Sequence, residues 1–133
     1  MKIHTKENVK PYCCTRPSMI PLHFRDKVHL DIESDVKKGI LERVPVGEPL
    51  TWCSRLVIQP KPCGNARRTV DLSYLSKHGI KEPHHTRSAF AIAQTVPGHM
   101  YKTVLDCKDG YHGLDLAVED RHKTTFATEW GRV

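Results

Sequence analysis

Residues 103–113, TVLDCKDGYHG, combine two carboxylates, a thiol, a tyrosine and a histidine directly after a short apolar run. Asp106 ends that run, and Asp109 follows three positions later, next to Gly110. An aspartate at the end of a strand is commonly a turn residue, because its side chain can bond the backbone two residues on. A carboxylate in this place is also the hard oxygen ligand that Mg²⁺ prefers. The stretch alone leaves both interpretations open, a turn and a metal site.

Basic residues form a second group that could bind a ligand, and they are concentrated in two parts of the chain. The net charge of the whole chain is +6. Segment 60–87 carries +4 and segment 1–21 carries +3, whereas 22–59 is neutral and 88–133 carries −1. A basic segment beside a slightly acidic one suits a protein that holds a polyanion with one part and divalent cations with another.

Length and cysteine content limit the class of protein. A chain of 133 residues has room for one modest core and not for two. Its five cysteines are an odd number without a repeated spacing, so we expect free thiols in a reducing compartment. The N-terminal MKIHTKENVK lacks the apolar segment of a signal peptide, and no apolar run reaches the length of a membrane span. We therefore expect a soluble, intracellular protein without membrane contact.

A structural zinc site is another use that the thiols could have. The available ligands are Cys13, Cys14, Cys53, Cys63 and the His84–His85 pair. They show no CxxC or HxxxH spacing, which structural zinc sites commonly use. We therefore expect no zinc.

Two helices are predicted from apolar periodicity. The first covers 22–38, where apolar residues recur every fourth position and a glycine follows as a stop signal. These residues are Phe24, Val28, Ile32 and Val36, followed by Gly39. The second covers 88–96, with Ser88 as a candidate cap, and stops before a Pro-Gly pair. Between them, 77–87 has no clear period and is predicted to be a loop.

The predicted strands comprise a hairpin and four further segments. The hairpin pairs 55–60 with 67–72 through the turn-forming sequence PKPCGNA. Its tip and return strand carry three basic residues, Lys61, Arg67 and Arg68. The further predicted strands are 40–44, 101–106, 114–118 and 123–130. Helices and strands in this order indicate an α+β domain.

Five sequence blocks occur in the order and at the separations of one known family. They are GILERV, the Lys61–Gly64 connection, RRTVDLSYL, VPGHMYKTVLDCKDGYHG and EDRHKTTFATEWG. From about Ile20 to Val133 the chain resembles the N-terminal part of the reverse transcriptase, an RNA-directed DNA polymerase, of gypsy-type LTR retrotransposons. The resemblance implies a truncated α+β fold with the fingers and partial palm of a right-hand polymerase.

We expect one incomplete domain in three parts. Pro11, Pro17 and Pro21 indicate an extended N-terminal arm at 1–21, and the resemblance implies a fingers subdomain at 22–100 and the first part of the palm at 101–133. In that family a pair of adjacent aspartates, the thumb and the ribonuclease H domain lie further along the chain. The sequence contains no adjacent Asp-Asp pair. We therefore expect the chain alone to be inactive as a polymerase.

The resemblance assigns roles within TVLDCKDGYHG. Asp106 matches the catalytic aspartate that binds magnesium, with the backbone carbonyl of Cys107 as a further metal ligand. Two Mg²⁺ ions are expected in the full-length enzyme, because nucleotidyl transfer is an in-line displacement at phosphorus. Asp109 and Gly110 match the turn whose amide groups face the incoming triphosphate. Tyr111 matches a ring beneath the sugar that excludes a 2′-hydroxyl by steric clash.

The resemblance also assigns roles within the basic hairpin. Lys61 and Arg67 match residues that bind the triphosphate, a task suited to the planar, permanently charged guanidinium of arginine. Arg68 matches a residue that contacts the nucleic acid. The chain departs from the family at Ser73, where a basic residue is usual, and at Ser76, where asparagine is usual. These departures put the template contacts there in doubt.

The implied partners are an RNA/DNA template-primer, deoxynucleoside triphosphates, and the missing palm, thumb and ribonuclease H segments of the parent polyprotein. The implied cofactor is Mg²⁺. The expected location is intracellular, in the cytoplasm or a virus-like particle, with the nucleus as an alternative. Two other functions stay open: a non-catalytic nucleic-acid-binding module built on the basic segment 60–87, and an inert product of a decayed element.

Overall fold

The structure, a computed structural model, describes residues 1–62, 64–81, 83, 85–99 and 101–133. Helices and strands follow one another in groups along these residues and not in strict alternation, which confirms the predicted α+β class. The helices are α1 (Leu22–Lys37), α2 (Ser73–His78) and α3 (Ala89–Gln94); the strands are β1 (Ser54–Pro60), β2 (Ala66–Asp71), β3 (Phe126–Thr128) and β4 (Gly131–Arg132); 3₁₀ helices span Gly110–Gly113 and Val118–Thr124. Of the residues considered for zinc, Cys63 and His84 lie outside the described residues.

Helix α1 forms because its apolar residues lie on one face. Phe24, Val28 and Ile32 are buried, and their spacing of four places them along the same side of the helix. The helix ends before Gly39, whose φ of 72° lies in the left-handed region that favours glycine. The helix predicted over 22–38 is confirmed. Neither α1 nor any other helix of the described residues has the length and apolar character needed to cross a membrane.

The strands form one sheet in the order β2-β1-β3-β4. β1 is antiparallel to β2 and parallel to β3, and β3 is antiparallel to β4. The register of the first pair places Gln59 opposite Arg67. At the hairpin tip, the N–H of Gly64, which has a φ of 76°, donates to the carbonyl of Lys61 at 3.0 Å. The hairpin predicted from the sequence is confirmed.

The core combines α1 with the sheet. Its buried members are Ile20, Phe24, Val28, Ile32, Leu56, Phe126 and Val133. Burial of one such large aliphatic or aromatic side chain stabilises the folded chain by about 1.5–3 kcal/mol. Because Leu56 belongs to β1 and Phe126 to β3, the cluster joins segments that are far apart in sequence.

The first 21 residues form no helix and are hydrogen-bonded to later parts of the chain. A β-bridge pairs Thr5 with Gly79, and a second pairs Cys13 with Cys53. Beside the first bridge, the N–H of Lys6 donates to a backbone carbonyl at 3.0 Å. The arm is therefore tied to its unit near both of its ends.

Several predicted strands are wrong. Segments 40–44, 101–106 and 114–118 form no strand, and of 123–130 only Phe126–Thr128 does. Alternating or continuous apolar residues do not make a strand by themselves, because a strand also needs a neighbour for its backbone hydrogen bonds. None of the strands in the described residues pairs with the first three segments.

The sequence predicts one of the two short helices and misses the other. α3 confirms the helix predicted over 88–96, and the Ser88 hydroxyl caps it by accepting a hydrogen bond from the N–H of Ala91 at 3.1 Å. α2 overlaps the start of the predicted loop 77–87. Its six residues are too few to show an apolar period, and Leu75 is its buried residue.

The chain divides into two compact units. The first contains Met1–Ile80 and Asp115–Val133, with α1, α2, the sheet and the core. The second contains Lys81–Leu114, with α3 and the first 3₁₀ helix. The boundaries of the fingers at 22–100 and the palm at 101–133 remain predictions.

A buried carboxylate joins the arm to the second 3₁₀ helix. Asp120 accepts hydrogen bonds from the N–H of Ile3 at 2.9 Å and from the ammonium of Lys123 at 2.6 Å. The same ammonium donates to the carbonyl of Ile3 at 2.8 Å. The Lys123 hydrogen bond and then the Ile3 N–H lower the pKa of Asp120 from its ordinary value, because both favour the charged carboxylate.

We expect Asp120→Asn to lower the midpoint of thermal unfolding at pH 7. Because the folded chain lowers the pKa of Asp120, its stabilisation is present above the unfolded value of about 3.9 and is lost as the pH falls through the folded pKa. The midpoints of the parent chain and the variant should therefore converge as the pH is lowered. Asp115→Asn, which removes an exposed carboxylate, is the matched control. A difference that stays constant with pH would contradict this assignment.

Candidate functional site

The predicted metal ligands lie on an irregular, exposed segment of the second unit. Residues 101–107 have no regular secondary structure, and Asp106 and Cys107 are exposed. The apolar run before them is exposed too, with Val104 at 93% and Leu105 at 87%. The prediction that Asp106 ends a buried strand is therefore wrong, because the run has neither a paired strand nor a covering layer among the described residues.

A turn begins at Asp109. This residue has a φ of 53° and a ψ of 34°, in the left-handed region that aspartate tolerates better than most residues. The 3₁₀ helix Gly110–Gly113 follows, and the N–H of His112 donates to the Asp109 carbonyl at 2.9 Å. A Cβ atom at Gly110 would lie 3.2 Å from the Cβ of Cys107, so a larger residue there would force a local shift.

Tyr111 projects from this turn with 90% of its surface exposed. A tyrosine is usually at least partly buried in a folded domain, because its ring is large and mostly apolar. The ring of Tyr111 is therefore not part of a core. It is available for contact with a ligand or with another protein segment.

The oxygen donors at Asp106 suit magnesium but are too few for two ions. Mg²⁺ prefers hard oxygen ligands, which the Asp106 carboxylate and the Cys107 carbonyl supply. Within the part of the chain that the structure describes, no group of three His, Cys, Asp or Glu side chains is placed to hold a metal ion. The residues thus fit part of the ligand set of one ion and do not fit a complete two-ion centre.

The basic residues of the hairpin have two different environments. Lys61 and Arg67 are exposed, and neither forms an ion pair with the described residues. Arg68 follows Arg67 in β2, and successive strand residues point to opposite faces. Its guanidinium binds the Asp35 carboxylate at 2.5 Å and lies 3.9 Å from that of Asp31. Helix α1 therefore compensates the positive charge of Arg68. It does not compensate the charges of Lys61 and Arg67.

Asp31 and Asp35 belong to none of the motifs that the sequence shows. They lie four residues apart on α1 and therefore share a face. Two carboxylates at this spacing repel each other unless a cation is near. This pair of aspartates is the sequence signal that could have indicated a basic residue packed against α1. The sequence does not show which basic residue binds them, since that depends on how the hairpin packs on the helix.

The predicted site residues fall into two groups in the structure. The Lys81–Leu114 unit contains Asp106, Cys107, Asp109, Gly110 and Tyr111, and the unit with the sheet contains Lys61, Arg67 and Arg68. Within each group the residues are near one another in sequence. Their roles toward metal, nucleotide and nucleic acid remain predictions.

We expect Arg68→Gln to destabilise the chain by roughly 1–2 kcal/mol, because it removes a charged hydrogen bond and leaves two carboxylates of α1 uncompensated. Arg67→Gln, the matched variant one position away, should change the free energy of unfolding by less than about 0.5 kcal/mol. Urea denaturation of both variants measures the difference. Equal losses would show that the Arg68–Asp35 pair does not stabilise the fold.

A known protein is similar to the chain in sequence. The retrovirus-related Pol polyprotein from transposon gypsy of Drosophila melanogaster is 28% identical to it over 137 residues. The match covers 98% of this chain and 13% of the polyprotein, so the chain spans only a small part of that relative's length. No family model matches the chain.

Solved structures share its fold. The foamy viral protease-reverse transcriptase dRH in complex with ds DNA has a TM-score of 0.74 at 18% identity, over 96% of this chain and 21% of that one. The native prototype foamy virus protease-reverse transcriptase has a TM-score of 0.71 at 20% identity, over 98% and 18% of the two chains. These matches confirm the predicted reverse-transcriptase-like α+β fold.

Proposed function

We propose that the chain, which has a reverse-transcriptase-like fold, supplies the fingers and first palm segment of an RNA-directed DNA polymerase of a retroelement. The observation that carries the proposal is that the reverse-transcriptase fold covers 96% of this chain or more. The similarity to the gypsy polyprotein supports a gypsy-type LTR retrotransposon as the element from which the chain derives. The protein then acts inside the cell, in the cytoplasm, a virus-like particle or the nucleus.

In this proposal the exposed residues of the second unit have roles toward the metal ion and the nucleotide. Asp106 and the carbonyl of Cys107 offer oxygen ligands to Mg²⁺, which when bound neutralises charge on the phosphates. The turn at Asp109 and Gly110 presents backbone N–H groups to the triphosphate. Tyr111 lies beneath the sugar, where its exposed ring would exclude a 2′-hydroxyl.

The hairpin supplies positive charge in this proposal. Lys61 and Arg67 bind phosphate oxygens of the nucleotide, which their exposure and lack of a carboxylate partner among the described residues allow. Arg68 is already bound to Asp35. Its expected contact with nucleic acid would require exchange of that carboxylate for a phosphate.

We propose that the 133 residues alone are inactive. Two cations about 4 Å apart, next to a triphosphate, need more than one carboxylate. The further carboxylates belong to other palm segments of a complete polymerase, which are the proposed partners of this chain. Such segments would also cover apolar side chains that are exposed here, among them Val104 and Leu105.

A primer-extension assay tests the function. The isolated chain, with RNA template, DNA primer, Mg²⁺ and deoxynucleotides, should give no extension. The same residues joined to the downstream part of the gypsy polymerase should extend the primer, and Asp106→Asn should reduce this rate by at least about 100-fold. In the joined protein, Tyr111→Ala should admit ribonucleotides, while the exposed control Asp115→Asn should change neither property.

Extension by the isolated chain that vanishes in Asp106→Asn would overturn its proposed inactivity. A joined protein that is folded and active but indifferent to Asp106→Asn would overturn the assignment of the metal ligand. The ribonucleotide readout of Tyr111→Ala separates the sugar contact from the metal contact, because it changes selectivity and not only rate.

Binding of nucleic acid without catalysis is the second candidate function. It is favoured by the charges of Lys61 and Arg67, which form no ion pair within the described part of the chain. Affinity for a labelled RNA–DNA hybrid should fall steeply between low and high salt, because counterions are released from the phosphates. We expect Arg67→Ala to weaken binding roughly threefold or more and to flatten the salt dependence by about one unit of slope. Lys37→Ala, which removes an equal charge from an exposed position on α1, should have little effect. Equal effects of both variants would show that binding follows net charge and not the hairpin.

A further inference from the structure

Three cysteine residues meet where the arm runs beside the start of β1. A β-bridge pairs Cys13 with Cys53 in parallel register. The N–H of Cys53 donates to the carbonyl of Tyr12 at 2.9 Å, and the N–H of Cys14 donates to the carbonyl of Cys53 at 2.8 Å. All three thiols are free in the structure. Backbone pairing, and not nearness in sequence, brings Cys53 to the other two.

The bridge places Cys13 and Cys53 at a spacing that a disulfide can span. Paired residues on neighbouring strands lie about 4.8 Å apart, and disulfides join Cα atoms roughly 4.4–6.8 Å apart. Directly paired residues also project their side chains to the same face of a sheet. Cys14 follows Cys13 and is buried. Its Sγ accepts a hydrogen bond from Nε of Arg55 at 3.3 Å.

The two partners of the bridge differ in their access to solvent. Cys13 is exposed, whereas Cys53 is 1% exposed. We propose that Cys13 and Cys53 form a reversible disulfide when the chain meets a low-molecular-weight disulfide of the glutathione class. The exposed thiol reacts with the reagent, and the buried thiol completes the bond.

The reaction proceeds in two exchanges that balance. The Cys13 thiolate attacks one sulfur of the small disulfide, whose S–S bond breaks and releases one small thiolate. The Cys53 thiolate then attacks the Cys13 sulfur of this mixed disulfide and releases the second. The two cysteines lose two electrons and two protons, and the small disulfide is reduced to two thiols.

The second exchange is the slower one. Burial raises the pKa of Cys53 to about 11, with contributions in the same direction from the neighbouring thiols Cys13 and Cys14. The guanidinium of Arg132 in β4 acts in the opposite direction. Because the thiolate is the attacking species, the mixed disulfide on Cys13 should accumulate at neutral pH. Its conversion should accelerate roughly tenfold for each pH unit while Cys53 remains mostly protonated.

The bond would fasten the arm to the sheet. It closes a loop of roughly 40 residues in the unfolded chain, which is expected to raise the midpoint of thermal unfolding by roughly 5–15 °C. It also adds a covalent bond to a contact that otherwise consists of backbone hydrogen bonds. The arm would then be mobile or fixed according to the thiol–disulfide balance of its surroundings.

Incubation of the 133-residue chain with oxidised glutathione at pH 7 and pH 9, followed by mass measurement of the tryptic peptides, tests the proposal. We expect glutathione on the peptide that contains Cys13 at pH 7 and, at pH 9, a bond from this peptide to the one that contains Cys53, with the loss of two hydrogens and of the adduct. Glutathione on the exposed Cys107 lies on a different peptide and is counted separately. Trypsin should release residues 7–25 linked to 44–55. The oxidised chain should melt at the higher temperature, and dithiothreitol should reverse both changes.

Variants identify the bonded pair. Cys14→Ser should still form the disulfide, and Cys53→Ser should stop at the glutathione adduct, with Cys107→Ser as the exposed-thiol control. If Cys53→Ser does not fold, the linked peptides 7–25 and 44–55 of the parent chain still show that Cys53 is one of the bonded residues. A bond between Cys13 and Cys14, or a Cys13 that stays reduced or joined to glutathione at pH 9, would overturn the proposal.

Discussion

The burial of α1 against the sheet is the interaction on which the rest of the first unit depends. Val28 and Ile32 are almost fully buried in one cluster with Leu56 and Phe126. Because β3 lies parallel to β1, the C-terminal segment must return to the middle of the sheet before this cluster closes. The hairpin, the arm and the hydrogen bonds of Asp120 all depend on this packing of α1 against the sheet.

The same packing decides which positive charges are available at the surface. α1 presents two acidic side chains to β2, and strand alternation brings Arg68 to them while Arg67 points away. An ion pair with helix α1 fixes the return strand of the hairpin. Lys61 and Arg67, at its tip and outer face, form no ion pair among the described residues, which suits the anion binding that the proposed function assigns to them.

The second unit shows the opposite balance between stability and availability. Its aspartates, its two tyrosines and its apolar run are exposed, and its order is local: a capped short helix and a 3₁₀ turn. Exposed side chains of this kind contribute little burial free energy to the stability of the unit. This exposure is what the proposed function expects of a palm segment without its neighbouring segments. The chain spans 13% of the length of the gypsy polyprotein and about a fifth of the foamy virus chain.

By itself, the sequence determined the elements whose signals are local, and the order of the motifs indicated the family. The helix at Leu22–Lys37, the hairpin and the cap at Ser88 follow from periodicity, turn residues and capping chemistry within a few positions. Only the tertiary structure decided that 101–106 is not a strand, that Arg68 is paired, and that Cys13 adjoins Cys53. Each of these depends on a partner distant in sequence, and a local pattern carries no information about where such a partner lies in space.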